Sequence, residues 1–406
     1  MEQESIRENR KYYQRNKMLD IIRFHENVSR FDLKKMTSYS MTTVLNMVDD
    51  LIRQGFILEE ESNEAKVGRK PTWLRINPDA GYFIGVEFNG REMHCDMLDF
   101  LGRVVYKAST ETSQEDSANT IIEKISLNVQ KAQDSIERKE KHFFGIGIGI
   151  PGYINKKEGV AVGYSYLRNW KNVPVKALIE KRFGIPCHIE NNVNVMAFAY
   201  KYLYYKGDCE DFVFLSIRTG ARIVPVMNNH MVFSDFGFSG EIGHIKISPQ
   251  HNICTCGSFG CLNSEISDFA IPTKIREGIH SGRFLEINKM VDGNLDAITV
   301  GTFVESVKKN DKDSVMLMKE IAMYLGDAIG IVLNLYAPQK VIIYGELAKL
   351  GKVFIDCLYD NLKDSVIPEN LDGFEIVVSD MEKDCGAIGA ATLVMQEQFN
   401  FIKQTV

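Results

Sequence analysis

Three cysteines crowd into eight residues, Cys254-Thr-Cys256-Gly-Ser-Phe-Gly-Cys261, and His244 stands ten residues ahead of the first. Three thiolates and one imidazole make a tetrahedral Cys3His set, and the soft sulfurs favour zinc (Zn2+) over magnesium or calcium. Protein then fills all four positions, so the expected role is structural, not hydrolytic. The glycines let the backbone wrap close to the ion. His251 is a rival fourth ligand, and spacing alone does not separate it from His244. The other five cysteines are scattered, as free thiols are, and form no disulfide frame.

Three further segments carry polar or glycine-rich chemistry. Gly145-Ile-Gly-Ile-Gly-Ile-Pro151-Gly152 ends a buried strand in a turn that can admit a ligand close to the backbone, although glycines in a buried strand also serve tight packing. Glu190-Asn191-Asn192-Val193-Asn194 opens a helix, where amides either cap the first turn or hydrogen-bond a polyol. Glu241, in Gly240-Glu241-Ile242-Gly243-His244, is either a solvated carboxylate or a holder of ligand hydroxyls.

An α/β chain must position these groups. Of 406 residues, 45% are hydrophobic and 25% charged, which excludes a largely disordered chain and a small disulfide scaffold. From residue 82 onward strand and helix patterns alternate. Phe143 to Ile150, Phe212 to Ile217 and Val341 to Tyr344 are near-continuous apolar runs, as buried parallel strands are. Helices fit Thr120 to Glu137, Val175 to Phe183, Asn194 to Tyr205, Val315 to Leu335 and Gly386 to Gln398. No apolar run approaches the roughly 20 residues of a membrane helix. Residues 1–17 have no apolar stretch of the secretory kind, so the expected setting is the cytoplasm, with reduced thiols.

The N-terminal part has a different pattern. Residues 17–57 read as helices. Met18, Ile21 and Ile22 mark the first, and Ser29 caps a short second over Phe31 to Met36. Ser40 caps a third, whose Val44, Val48, Leu51 and Ile52 share one face. Two short strands around a polar loop follow, which completes a winged helix-turn-helix outline. The second helix of such a unit sets its N-terminal residues in the major groove. Here these are Ser38, Met41, Thr42, Thr43 and Asn46, with Ser40 at the cap. Asn46 can read adenine with two bonds. No basic residue lies between Lys35 and Arg53, so phosphate attraction falls to Lys34, Lys35 and the loop cations Lys66, Arg69 and Lys70. The net charge is -6, which is no polycation. Nucleic-acid contact must therefore be local.

Taken together, the segments resemble the ROK family of repressors, open reading frames and kinases. The resemblance rests on residues 29–52, on Gly68-Arg69-Lys70-Pro71, on Asn77 to Tyr82, on Asn169-Trp170-Lys171-Asn172-Val173-Pro174, on Gly240 to His244, and on Cys254 to Cys261. It implies an α/β fold class: an N-terminal winged helix-turn-helix, then a two-lobed actin-like (ribonuclease H-like, sugar-kinase) module with a sugar cleft. The implied domains are residues 1–77, a first lobe over 78–200 to which the helix 386–406 returns, and a second lobe over 201–385 with the zinc site. The resemblance also favours His244 over His251. It implies sugar contacts at Gly152, Asn191, Asn192, Glu241, His244 and Asn263. Asn263 stands where the family has a glutamate, and Glu265 is a substitute two residues on.

The same resemblance shows what this sequence lacks. The family's general base is an aspartate in E-N-D-x-N, and Asn192 replaces it with an amide that accepts no proton. The first phosphate loop, D-x-G-G-T, is Glu87-Phe88-Asn89-Gly90-Arg91. The second, G-T-G-x-G-x-G, is Arg218-Thr219-Gly220-Ala221-Arg222-Ile223-Val224. The expected protein is a non-enzymatic regulator of carbohydrate genes, such as those of xylose metabolism. It binds operator DNA as a homodimer or homotetramer and answers to a sugar or sugar-derivative effector. A sugar kinase with a DNA-binding appendage and a module controlled by a regulatory protein partner are the alternatives.

Overall fold

The computed structural model describes residues 2–25, 27–61, 72–137, 141–164, 166–167, 169–205, 211–232, 234, 237–250 and 252–399, with the side chains of residues 2–10 left out. Lys66, Arg69, Lys70 and His251 lie outside the described residues. The chain divides into two units, Met1–Tyr205 with Lys383–Val406, and Lys206–Glu382.

The first unit begins with α1 (Glu2–Phe24), α2 (Arg30–Thr37) and α3 (Met41–Arg53), followed by the antiparallel pair β1 (Ile57–Glu61) and β2 (Thr72–Ile76). Ser29 caps α2 in a reciprocal capping box with Asp32, and the Ser40 hydroxyl accepts from the Thr43 amide to cap α3. Helix α1 starts well before the expected residue 17. Its first turns carry no apolar stripe to read, but they are rich in good helix formers. Further along the helix the Tyr12 hydroxyl donates to the Gln398 carbonyl at 2.6 Å.

Next in this unit comes a five-stranded sheet in the order Cys187–Asn191, Phe143–Ile150, Tyr82–Phe88, Glu92–Leu98, Val104–Glu111. The first three strands run parallel and the last three form an antiparallel meander. Ala118–Asp134 and Val175–Phe183 cover one face through Ile121, Ile125, Val129, Val175 and Ile179. The helix Cys385–Phe399 covers the other. There a Cβ on Gly85 would meet the Ala387 carbonyl, and one on Gly147 the Ala390 carbonyl. The glycines at 85 and 147 thus admit a helix, not a ligand, to the strand. Residue 77 is no break in packing. Met18, Leu33, Val48 and Ile57 share a core with Phe83, Phe100, Met395 and Phe399, and Phe56 packs on Phe100, Phe144 and Phe399 with ring centroids 5.3, 6.1 and 5.7 Å away.

The second unit repeats the pattern. Its sheet runs His230–Met231, Ala221–Met227, Phe212–Ile217, Lys340–Tyr344, Glu375–Val378, again an antiparallel meander continued by parallel strands. Val300–Lys308, Lys312–Tyr336 and Lys352–Ser365 supply much of its apolar core. This internal duplication has no counterpart in the residue pattern, because it is a repeat of topology and not of side chains. One expected helix is altered. Asn192–Ala199 is α-helical, but Tyr200–Tyr204 continues it as a π-turn just before the chain leaves the unit.

Candidate functional site

The four residues of the cysteine cluster meet. One ligand atom from each of His244, Cys254, Cys256 and Cys261 lies within 4.8 Å of the others. Cys254 Sγ is 3.7 Å from His244 Nδ1, and Cys256 Sγ is 3.9 Å from Cys261 Sγ. A tetrahedral ion with bonds of 2.0–2.3 Å needs ligand-to-ligand edges of about 3.3–3.8 Å, so the set is poised for one. The loop reaches this shape through Gly257 and Gly260, whose φ angles of +85° and +71° side chains rarely adopt. The Cys254 amide donates to the Ser258 carbonyl at 2.8 Å, and the Gly257 amide to the Cys254 carbonyl at 2.9 Å. Cys254 and Cys261 are buried and Cys256 is exposed.

His244 sits on the short turn Ile242–His244. Its Nδ1 faces the sulfurs, and its Nε2 lies 3.9 Å from Glu241 Oε2. A metal on Nδ1 would fix the ring and therefore where Nε2 points. Glu241 is held on its other side. Arg222 Nη1 donates to Glu241 Oε1 at 3.0 Å, and Arg222 Nη2 donates to the Gly237 carbonyl at 3.2 Å. Burial raises the Glu241 carboxyl above its ordinary range, against the pull of Arg222 and His244.

Asn263 is enclosed in the same unit. Its Oδ1 accepts from the Ala221 amide at 2.7 Å, and its side chain fills the space where Gly220 and Gly243 lack a Cβ. Glu265, two residues on, is fully buried, 2.6 Å from Lys274 Nζ, and accepts from Asn252 Nδ2 at 3.0 Å. A buried carboxylate needs such a counter-charge and hydrogen-bond donor.

The remaining sugar candidates lie in the first unit. Asn191 caps its helix, with Oδ1 accepting from Val193 N at 2.9 Å while Nδ2 donates to the Gly152 carbonyl at 2.9 Å. Gly152 has φ +78°, and a Cβ there would meet the Gly163 carbonyl. Asn192 Nδ2 donates to Glu87 Oε1 at 3.1 Å. Glu190 binds the Asn191 amide and Asn194 Nδ2, and Lys156 lies 3.3 Å from its second oxygen. Capping and ligand contact were both open for this segment. The structure shows the capping.

A model of the ROK family matches residues 83–397. The chain belongs to the ROK family. It is 26% identical to the xylose repressor of Caldicellulosiruptor bescii over 95% of this chain and 96% of that one. It is 24% identical to the DNA-binding transcriptional dual regulator NagC of Escherichia coli over 92% of this chain and 90% of that one. Among solved structures, a ROK transcriptional regulator homologous to the E. coli MLC protein superposes with a TM-score of 0.82 at 23% identity, covering 96% of this chain and 97% of the other. A ROK glucokinase from Streptomyces griseus, solved with glucose and AMPPNP, gives 0.67 at 23% identity, with 78% of this chain covering all of that one. The two-lobed actin-like sugar-kinase fold follows.

Within the ROK module, both loops that depart from the kinase pattern are occupied by the chain's own atoms. Asn89 Oδ1 accepts from Arg91 N and Glu92 N at 2.8 and 3.1 Å, and the Tyr166 ring stands against Gly90 where a Cβ would be. In the second loop Arg222 is turned inward onto Glu241 and only 5% exposed. The sequence places Arg222 where the family has a glycine, and its partner lies 19 residues on, so only the fold brings the two together.

Ahead of the ROK match, Lys34 and Lys35 are exposed on α2, with Lys35 Nζ 4.5 Å from the Phe31 ring. Ser38 ends α2 in the left-handed region at φ 58°. The Ser40 and Thr43 hydroxyls bond each other at 2.8 Å, so the cap engages both. Thr42 and Asn46 are exposed, and Met41 and Thr43 half-buried. Arg30 was not anticipated. It binds Asp49 at 2.6 Å and Glu59 at 2.9 Å, tying α2 to α3 and β1.

Proposed function

We propose that this chain is a sugar-responsive transcriptional repressor whose sugar-kinase module no longer phosphorylates. The observation that carries the reading is coverage. Alignment to the xylose repressor takes in 95% of the chain, which must include most of the N-terminal region, whereas the glucokinase is covered in full by 78%. In this reading α1 to α3 with β1 and β2 are a winged helix-turn-helix, and Lys34, Lys35, Ser38, Met41, Thr42 and Asn46 approach operator DNA. Lys66, Arg69 and Lys70 add cations from the loop between the strands.

The catalytic loss has a chemical basis. The Asn192 amide accepts no proton from a sugar hydroxyl, and its Nδ2 is directed to Glu87. Arg222 and Tyr166 stand at the loops that phosphates need open. The effector is a sugar or sugar derivative, with Glu241 and His244 the foremost hydroxyl contacts. Cys254, Cys256, Cys261 and His244 fit a structural zinc, which would supply rigidity to the turn carrying Glu241 and no reaction step. A two-fold operator calls for a homodimer or homotetramer.

The test is DNA binding to the protein's own upstream region at fixed salt, with and without a panel of sugars and sugar phosphates. Specific binding that one of them weakens is the expected result. Specific binding that none of them changes removes the effector from the reading, and no specific binding overturns the repressor.

A further inference from the structure

Helix α3 has two sharply different faces. Val44, Val48 and Leu51 are buried. On the opposite side Thr42, Leu45, Asn46 and Asp49 are exposed at i, i+3, i+4 and i+7, the spacing of a single helical stripe. The charges on and beside that stripe are already matched. Arg53 lies 2.9 Å from Asp50, and Arg30 lies 2.6 Å from Asp49 and 2.9 Å from Glu59. What the stripe offers is the isobutyl group of Leu45, 36% exposed, beside the methyl of Thr42 and the amide of Asn46.

One exposed leucine on a protein surface is ordinary. The position of Leu45 is not, because it is the fifth residue of the helix that the proposed function sets into the major groove, where N-terminal residues meet base edges. Of the four bases only thymine presents a methyl group there, and adenine alone presents the acceptor and donor pair that an asparagine amide matches. Arginine, the usual reader of guanine, has no free representative among the described residues of this stripe.

We propose that Leu45, with the Thr42 methyl, reads thymine C5-methyl groups beside an adenine bound by Asn46, making Leu45 a specificity-determining residue of an A·T half-site core. The inference rests on the DNA-binding reading and goes beyond it by naming the atom recognised. Leu45 holds its thymine by apolar contact, so its contribution is insensitive to salt, unlike that of Lys34 and Lys35.

The experiment uses the full chain and the duplex it enriches from a random-sequence library. Each thymine is replaced singly by deoxyuridine, which removes only the methyl. At one or two positions affinity is expected to fall about fourfold per methyl lost. Leu45→Ala should bind thymine and deoxyuridine alike at one of these positions, with unchanged salt slope and melting temperature. Thr42→Ser should do the same at its neighbour. An enriched duplex indifferent to every replacement, or a Leu45→Ala protein that still discriminates, overturns this inference and leaves DNA binding standing. Failure to enrich any sequence overturns both.

Discussion

Two turns in the second unit invite comparison. The Cys254–Cys261 loop and the turn before Ala221 both present polar groups at bends in the chain, and they use them in opposite ways. The cysteine loop turns its side chains toward a common point, with left-handed glycines shaping the bend. The second turn closes on itself. Arg222 folds onto Glu241 and the Asn263 Oδ1 accepts from the Ala221 amide, so the polar groups at this turn are matched by the chain's own side chains. An ion site depends on ligand type and spacing. A phosphate site depends on backbone left open, which is the reason the proposed loss of phosphorylation rests on this turn.

This contrast can be broken from either side. The largest effect is expected from the cysteine loop. Cys261→Ser removes a buried ligand, and zinc content measured by mass spectrometry should fall with it. The melting transition should drop by about 10 °C or more, as when a structural metal is lost. A protein that keeps its melting temperature after this change or after chelation would show that the cluster is four residues meeting without a metal.

A smaller effect is expected at the closed turn. Arg222→Gly restores the family's residue and leaves the raised Glu241 carboxyl without its cation. Unfolding in urea should show a loss of about 2 kcal/mol, below the full value for a buried pair because Glu241 keeps 26% side-chain exposure. If stability is unchanged, the Arg222–Glu241 pair gives the fold no net stabilisation.

The smallest effect belongs to Asn263→Ala. It strands the Ala221 amide, which should cost about 1 kcal/mol by the same measurement. If Asn263 is also a sugar contact, the variant loses effector binding as well. Loss of stability with sugar binding intact would mark it as structural only.

Much of the fold was legible in the residues. The caps Ser29 and Ser40, the strand Phe143–Ile150 and the helix Val175–Phe183 stand where local pattern put them, because caps and periodicity are encoded within a few residues. The first seventeen residues were not, since a polar helix held by a distant partner carries no stripe of its own. The glycines of Phe143–Ile150 were ambiguous between ligand and packing until the C-terminal helix was seen against Gly147.

The division follows from distance along the chain. By itself the sequence marked the three cysteines as metal-ligating in type and spacing and left His244 and His251 as rivals for the fourth place; the fold brings His244 to the sulfurs. It also put an amide at 192, where the resemblance expects the carboxylate base, and an amide there is an amide in any fold. Tertiary structure alone decided that Arg222 neutralises Glu241, that Glu265 is spent on Lys274, that Arg30 ties Asp49 to Glu59, and that Leu45 faces outward. Each of these depends on which distant segments share a core. Burial sets the strength of a charge pair and the exposure of a side chain, and no local window of residues contains it.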